Sequence, residues 1–380
     1  MKGGGTPFEK GDWGQRNGPS GNPGFSPLTQ ATPSIDAVMT KELTLEELAA
    51  ELRRSLGILH KQDIQTAANR LGSFVPFTDQ SPILLGDDCA AIPDGDGYLL
   101  LAAEGMWPTL VETDPWFAGW CAVMVNVSDI YAMGGRPIAV VDTIWSQSPQ
   151  QVDPLWRGMV AASQAFNVPI VGGHTSCHSP YAALSVAILG RANHLITSFS
   201  AQPGDVLLHV TDMQGQMHPQ YPFWNAATEA DCDRLRQNLA LLPTLAESGL
   251  CDTGKDISMG GIVGTALMLL ETSGCGAVLN VGSIAPPPGI DLLSWLLSFP
   301  SYGFLLSVRP EAVAQIQPEF HSRGLVCEPV GTITNGQTLN LKLGDASLCF
   351  WDFASESLTG FAPGALKNPQ AVARMRADAQ

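Results

Sequence analysis

Three acidic points stand inside apolar runs of this chain: Gly86-Asp87-Asp88, Glu104, and Asn126-Val127-Ser128-Asp129. A carboxylate in such a setting is costly to bury unless a proton, a hydrogen-bond donor or a cation neutralises it. Asp87 and Asp88 interrupt the run from Ile83 to Ile92 with no turn residue after them. Asp94 and Asp96 belong to the turn Pro93-Asp94-Gly95-Asp96-Gly97 and need no chemical role. Glu104 ends an apolar strand, where ligand-binding groups of sheet proteins project. Asp129 lies in a helix whose other residues are mostly apolar. It is either hydrogen-bonded structurally or bound to a cation, and the residue types leave both readings open.

Four other groups have chemistry to offer. Gly172-Gly173-His174-Thr175 follows an apolar strand, so His174 either touches a ligand or satisfies backbone groups in a loop. Lys61 either reaches a nucleotide phosphate or is a solvated lysine. Gly3-Gly4-Gly5 either wraps a phosphate with its amides or belongs to a flexible tail. Asp256 and Ser258 precede an apolar helix, where either would serve as N-cap and the free amides suit an anion.

The elements that must hold these residues follow from pattern. Thr44 and Glu47 form a capping box, and Leu45, Leu48, Leu52 and Leu56 repeat at helical spacing after it. Strands are expected at Ile83–Leu85, Cys89–Ile92 and Tyr98–Leu101. Asp114-Pro115 starts a long helix that Gly134-Gly135 closes, with Gly119, Ala122, Asn126, Asp129 and Met133 on one stripe. Further strands at 139–144, 169–171, 182–189 and 206–210 surround a helix at 152–166. Strands at 276–281, 304–308 and 325–333 then alternate with helices at 231–242, 262–271, 289–299 and 310–317, a second α+β unit.

Composition narrows the class. With 380 residues, 45% hydrophobic and 15% charged, the chain has enough apolar surface for about two domains. A net charge of −16 argues against a nucleic-acid partner. The eight cysteines form no C-x-x-C pair, which points to a reduced cytoplasm and away from a zinc site. No secretory h-region is expected at the N-terminus. The apolar run from Trp116 to Met133 contains Asn126, Ser128 and Asp129, so it reads as a buried helix and not a membrane span.

In order along the chain, four motifs resemble those of the AIR synthase-like superfamily. They are Leu85-Gly86-Asp87-Asp88-Cys89-Ala90-Ala91-Ile92, the stretch Asn126 to Pro137, Gly172-Gly173-His174-Thr175, and Asp256-Ile257-Ser258-Met259-Gly260-Gly261. The resemblance implies a two-domain α+β fold, with an N-terminal sheet that forms a dimeric barrel with a second copy and a C-terminal α+β domain. It also implies ATP with Mg²⁺ and use of the γ-phosphate. By position Asp87, Asp88, Glu104 and Asp129 match the metal ligands. Asp129, Asp88 and Lys61 are the catalytic candidates. Gly3, Gly4, Gly5, Gly86, Asn126, Gly172, Gly173, His174, Thr175, Asp256 and Ser258 are the nucleotide-binding candidates.

The expected layout is a flexible segment at 1–40, an ATP- and Mg-binding and dimerisation domain at 41–200, a C-terminal domain at 201–355 and a tail at 356–380. Met259 stands where thiamine-monophosphate kinases carry a second Asp, and no Cys precedes Cys89 as selenophosphate synthetases require. The chain is similar instead to an AIR synthase-related subgroup exemplified by methanogenesis marker protein 2. The leading expectation is a cytoplasmic homodimeric enzyme that phosphorylates a small molecule or activates its amide or carboxyl oxygen. The competing one is a nucleotide-binding accessory protein without turnover.

Overall fold

Thr44 and Glu47 do close a capping box. The Thr44 hydroxyl accepts from the Glu47 amide at 3.3 Å, and the Glu47 carboxylate accepts from the Thr44 amide at 2.9 Å. The helix it opens, α1 (Leu45–Arg54), buries Leu45, Leu48 and Leu52 but stops before Leu56, which is 67% exposed at the start of α2 (Leu56–Gln62). A third short helix, α3 (Ile64–Leu71), follows. The computed structural model describes residues 43–71, 85–300 and 303–363. Gly3, Gly4, Gly5, the strand start at Ile83 and the chain after residue 363 lie outside the described residues.

A first sheet contains β1 (Ala90–Asp94), β2 (Gly97–Gly105), β3 (Arg136–Trp145), β4 (Ile170–Ser176) and β5 (Ala183–Ala192), in the order β1-β2-β5-β3-β4. All neighbours are antiparallel except β3 and β4, which run parallel. The helices α4 (Pro108–Thr113), α5 (Pro115–Ala132) and α6 (Pro149–Phe166) belong to the same stretch of chain. Asp114 caps α5 by accepting from the Phe117 amide at 3.2 Å, as its position before Pro115 predicts. Two glycines let α5 and α6 cross closely. A Cβ at Gly119 would lie 2.1 Å from the Leu155 carbonyl oxygen, and one at Gly158 would lie 1.9 Å from that of Trp116.

The register shows how this sheet is sided. Leu101 pairs with Leu189, Ala103 with Ala187, and Ala187 with Val141, which puts these residues on one face. Val140, Ile144, Val186 and Ile188 alternate with them and are buried in one core cluster with α5 and α6. The first face stays open: Leu101, Val141 and Leu189 are exposed, as are Ile138 and Val171 beside the two register shifts of β3.

The second half of the chain builds a seven-stranded sheet from β6 (Val206–Thr211), β9 (Thr253–Asp256), β10 (Gly276–Asn280), β12 (Gly303–Val308), β13 (Val326–Thr334), β14 (Thr338–Leu343) and β15 (Ala346–Asp352), ordered β15-β14-β10-β13-β6-β12-β9. Its helices are α7 (Cys232–Leu239), α8 (Leu241–Glu247), α9 (Gly261–Ser273), α10 (Leu292–Leu297) and α11 (Pro310–His321). A small sheet joins β7 (Gln216–Met217), β8 (Phe223–Asn225) and β11 (Phe299–Pro300). The helix expected over 231–242 is two, broken at Ala240, and α10 is shorter than the 289–299 pattern suggests. Although α1 and α2 precede the first sheet in sequence, Leu45, Leu48, Leu52 and Ile58 pack into the core of the second half with Ile262, Trp295 and Phe350.

After β15 the chain returns as a strap, residues 356–363, fastened by one buried carboxylate on α9. Glu271 accepts from the Ser357 hydroxyl at 2.6 Å, from the Leu358 and Thr359 amides at 2.8 and 2.7 Å, from the Thr359 hydroxyl at 2.5 Å and from the Gly360 amide at 3.3 Å. On the other side the Gln65 amide donates to the carbonyls of Ser357 and Leu358 at 2.8 and 2.9 Å. Glu271→Gln removes the charge and sets an NH₂ group against backbone donors, so it should cost about 2–4 kcal/mol. Urea unfolding checks this, and a change under about 0.5 kcal/mol would show that the strap does not depend on the carboxylate.

Candidate active site

A cavity of about 360 Å³ collects charged groups from five different elements or loops. Asp88 comes from the turn after Gly86, whose φ of +103° is a glycine conformation. Glu104 comes from the end of β2, Asp129 from the last turns of α5, Lys61 from α2, and Lys255 and Asp256 from β9. Carboxylate oxygens of Asp88, Asp129 and Asp256 all lie within 4.8 Å of one another. One lysine meets them: the Lys255 ammonium is ion-paired with Asp88 and lies 3.8 Å from Asp87 Oδ1, with all three side chains almost wholly buried.

Hydrogen bonds separate two kinds of acid in this group. Asp87 is spent on structure, since its Oδ2 accepts from the Ser198 amide at 2.7 Å and its Oδ1 from the Asp88 amide at 3.0 Å. Asp88 Oδ2 accepts from the Asp256 amide at 3.1 Å, which ties the turn to the end of β9. Among the described residues, Asp129 Oδ2 is buried without a partner, and so is the hydroxyl of Ser258. An orphaned buried carboxylate oxygen beside two other carboxylates suits a hard cation that takes oxygen ligands.

The protonation equilibria agree. Burial pushes the Asp129 carboxyl well above the usual range, and the charges of Asp256, Glu104 and Asp88 add to it. Asp256 is raised by burial and then by Asp88. Burial lifts Asp87 to about 6 although Lys255 opposes it, and raises Glu104 against the pull of Lys61. Burial lowers Lys61, and Lys255 lowers it further. For Lys255 burial also acts downward, but Asp88, Asp87 and Asp256 outweigh it and hold the ammonium charged.

Several expected residues sit elsewhere. Asn126 is fully buried, donates to the Ala122 carbonyl at 2.8 Å and does not line the cavity. It shares a stripe with Asp129 by spacing, but the cavity is lined from α5 by Cys121, Met124, Val125, Ser128 and Asp129. Gly172, Gly173, His174 and Thr175 are not in a loop. Parallel pairing with β3 extends β4 through them, at the edge of the first sheet and away from the cavity lining. Gly173 is set against Asp142, since a Cβ there would lie 2.5 Å from the Asp142 carboxylate. Neither Asp256 nor Ser258 caps α9; the N-cap is Gly260. That leaves both free to line the cavity. Lys255 escaped the sequence reading, although a lysine in a strand directly before Asp256 was the available signal.

Residues 86–192 match the AIR synthase related protein N-terminal domain, and residues 202–344 match the corresponding C-terminal domain. An uncharacterized protein of Synechocystis sp. is 61% identical over 83% of this chain and 98% of its own length. The chain belongs to the AIR synthase related family. Among its relatives, the selenide, water dikinase of Aeromonas salmonicida is 24% identical over 71% of this chain and 84% of its own. In the solved structures, PurL of T. maritima complexed with ATP superposes with a TM-score of 0.62 at 17% identity, covering 80% of this chain and 53% of that one. The chain thus spans about half the length of the PurL chains it matches. The two larger sheets of this AIR synthase related protein fall within the two matched domains, apart from β15 at the end of the second. Among the described residues no helix is long and apolar enough to cross a membrane.

A divalent cation binds the ionised carboxylates only, and Asp129 and Asp256 hold their protons above the ordinary carboxylate range. The rise in melting temperature caused by millimolar MgCl₂ should therefore be larger at about pH 8 than at about pH 6. Asp129→Asn should abolish it. A rise that ignores pH, or that survives the substitution, would remove these acids from cation binding.

Proposed function

We propose that this protein is an ATP- and Mg²⁺-dependent enzyme that transfers the γ-phosphate to a small molecule, or uses it to activate an amide or carboxyl oxygen. The observation that carries this reading is the convergence of Asp88, Asp129 and Asp256 beside Lys61 and Lys255 in one cavity. It is supported by relatives named as a dikinase and by a PurL structure that holds ATP.

Asp88, Asp129 and Asp256 would hold the Mg²⁺, which when bound offsets charge on the phosphate oxygens. Lys61 and Lys255 add positive charge from the protein side, in a cavity where burial strengthens each such contact. Ser258 offers a hydroxyl with no partner among the described residues. In the transfer, a bond forms from the acceptor oxygen to the γ-phosphorus, the bond to the bridging oxygen breaks, and ADP leaves. Isothermal titration of ATP with Mg²⁺ should show binding that Asp129→Asn weakens by about tenfold or more, and turnover of any acceptor should fall roughly 100-fold. Unchanged binding in the variant would refute the reading.

The open face of the first sheet is proposed as a homodimer interface. Leu101, Val141 and Leu189 form an apolar surface on the side of the sheet that α5 and α6 leave uncovered. Gly172 and His174 pair with Val141 and Thr143 and so share that side, where any contact with nucleotide would be made with a second copy. All eight cysteines are free thiols, which suits a reducing cytoplasm. The double substitution Leu101→Lys and Leu189→Lys should turn a dimer into a monomer by light scattering. A wild type that is monomeric at micromolar concentration would overturn the proposal.

A further inference from the structure

The cavity carries an excess of one sign of charge. Asp87, Asp88, Glu104, Asp129 and Asp256 all line it, and among the described residues Lys61 and Lys255 are the only basic side chains that do. The strap contributes Thr359 and Phe361 to the wall, neither of them basic. Both lysines are already answered. The Lys255 ammonium is ion-paired with Asp88 and stands 3.8 Å from Asp87 Oδ1. Lys61 lies in the field of Asp256, Glu104 and Asp88 together, and burial works against its charge as well.

A bound nucleotide with Mg²⁺ does not reverse this balance. The chelate is itself a net anion, because one Mg²⁺ cancels only part of the charge of a triphosphate tail. Even where a second cation cancels the rest, the carboxylates of the cavity still outnumber its lysines. An acceptor with a negative charge would therefore enter a partly buried space with no basic partner left for it, at the cost of an unpaired charge. An uncharged acceptor meets no such cost. It also finds neutral polar groups, since Ser128 and Ser258 line the cavity and the Ser258 hydroxyl has no partner among the described residues. We propose that the acceptor enters the cavity uncharged or as a cation, presenting a hydroxyl, an amine or an amide, and that the acids of the wall reject carboxylates and phosphate esters. This rests on the ATP-using reading above and narrows it, keeping the amide and setting the ionised carboxyl group aside.

The test reads the sign of the field where the acceptor must enter. Met106→Cys places a thiol on the cavity wall, and Val125→Cys places one on α5 if the first variant fails to fold. Each full-length variant is labelled with a cationic reagent, trimethylammonioethyl methanethiosulfonate, and with an anionic one, sulfonatoethyl methanethiosulfonate. Labelling is followed peptide by peptide, and each rate is divided by that of the same reagent with mercaptoethanol. With Mg²⁺ and the non-hydrolysable analogue AMPPCP bound, the cationic reagent should be favoured by about tenfold or more, and added KCl should shrink that preference. A sulfonate that reacts as fast as the cation, or faster, would overturn the proposal. Calorimetric titration of AMPPCP with Mg²⁺ on the same variants and the wild type keeps the two readings apart. If the analogue fails to bind the wild type, the ATP-using reading falls, and the ratio measured in EDTA still decides whether the cavity turns anions away.

Discussion

The buried ammonium of Lys255 is the constraint on which the site depends. Asp87, Asp88, Asp129, Asp256 and Glu104 meet at one cavity, and like charges so close together cannot all ionise in a buried place without a counter-charge. Lys255 supplies it at Asp88 and Asp87, two strongly buried side chains. Asp129 and Asp256 stay raised, first by burial and then by the neighbouring carboxylates, although Lys255 pulls both down. The proposed function assigns the cation to the acids that Lys255 leaves less compensated.

Packing decides where these charges stand. Asp129 reaches the cavity because α5 is clamped on its far side, where Gly119 and Gly158 bring it against α6 at backbone contact. Asp256 and Lys255 arrive at the end of β9, an edge strand held by β12 through pairs such as Asp256 with Phe304. The turn at Gly86–Asp88 is pinned from two directions, by the Ser198 amide on Asp87 and the Asp256 amide on Asp88. The cavity is therefore a seam between two sheets, with α2 adding Lys61 although that helix lies before both in the chain. The strap adds the last wall, and one carboxylate, Glu271, accounts for its course.

Sequence alone determined much of this protein. Capping at Thr44 and Asp114, the alternation of strands and helices, and the four ordered motifs established the family and the acids at Asp87, Asp88, Glu104, Asp129 and Asp256, because local signals and carboxylates in apolar runs need no partner to be noticed. Only the tertiary structure decided which of those acids are free. Asp87 is consumed by Ser198, a residue 111 positions away, and no local pattern records such a bond. Asn126 turns out of the cavity although its spacing matches that of Asp129, since the cavity meets α5 on the flank of Asp129 that carries Cys121, Val125 and Ser128, away from Asn126. Gly172 to Thr175 became an edge strand because β3 was there to pair with them. The contacts of Lys255 and Phe361 came only with the fold: the lysine stands beside Asp256 in the sequence, but its ion pair with Asp88 and the packing of Phe361 on Gly86 join residues far apart in the chain.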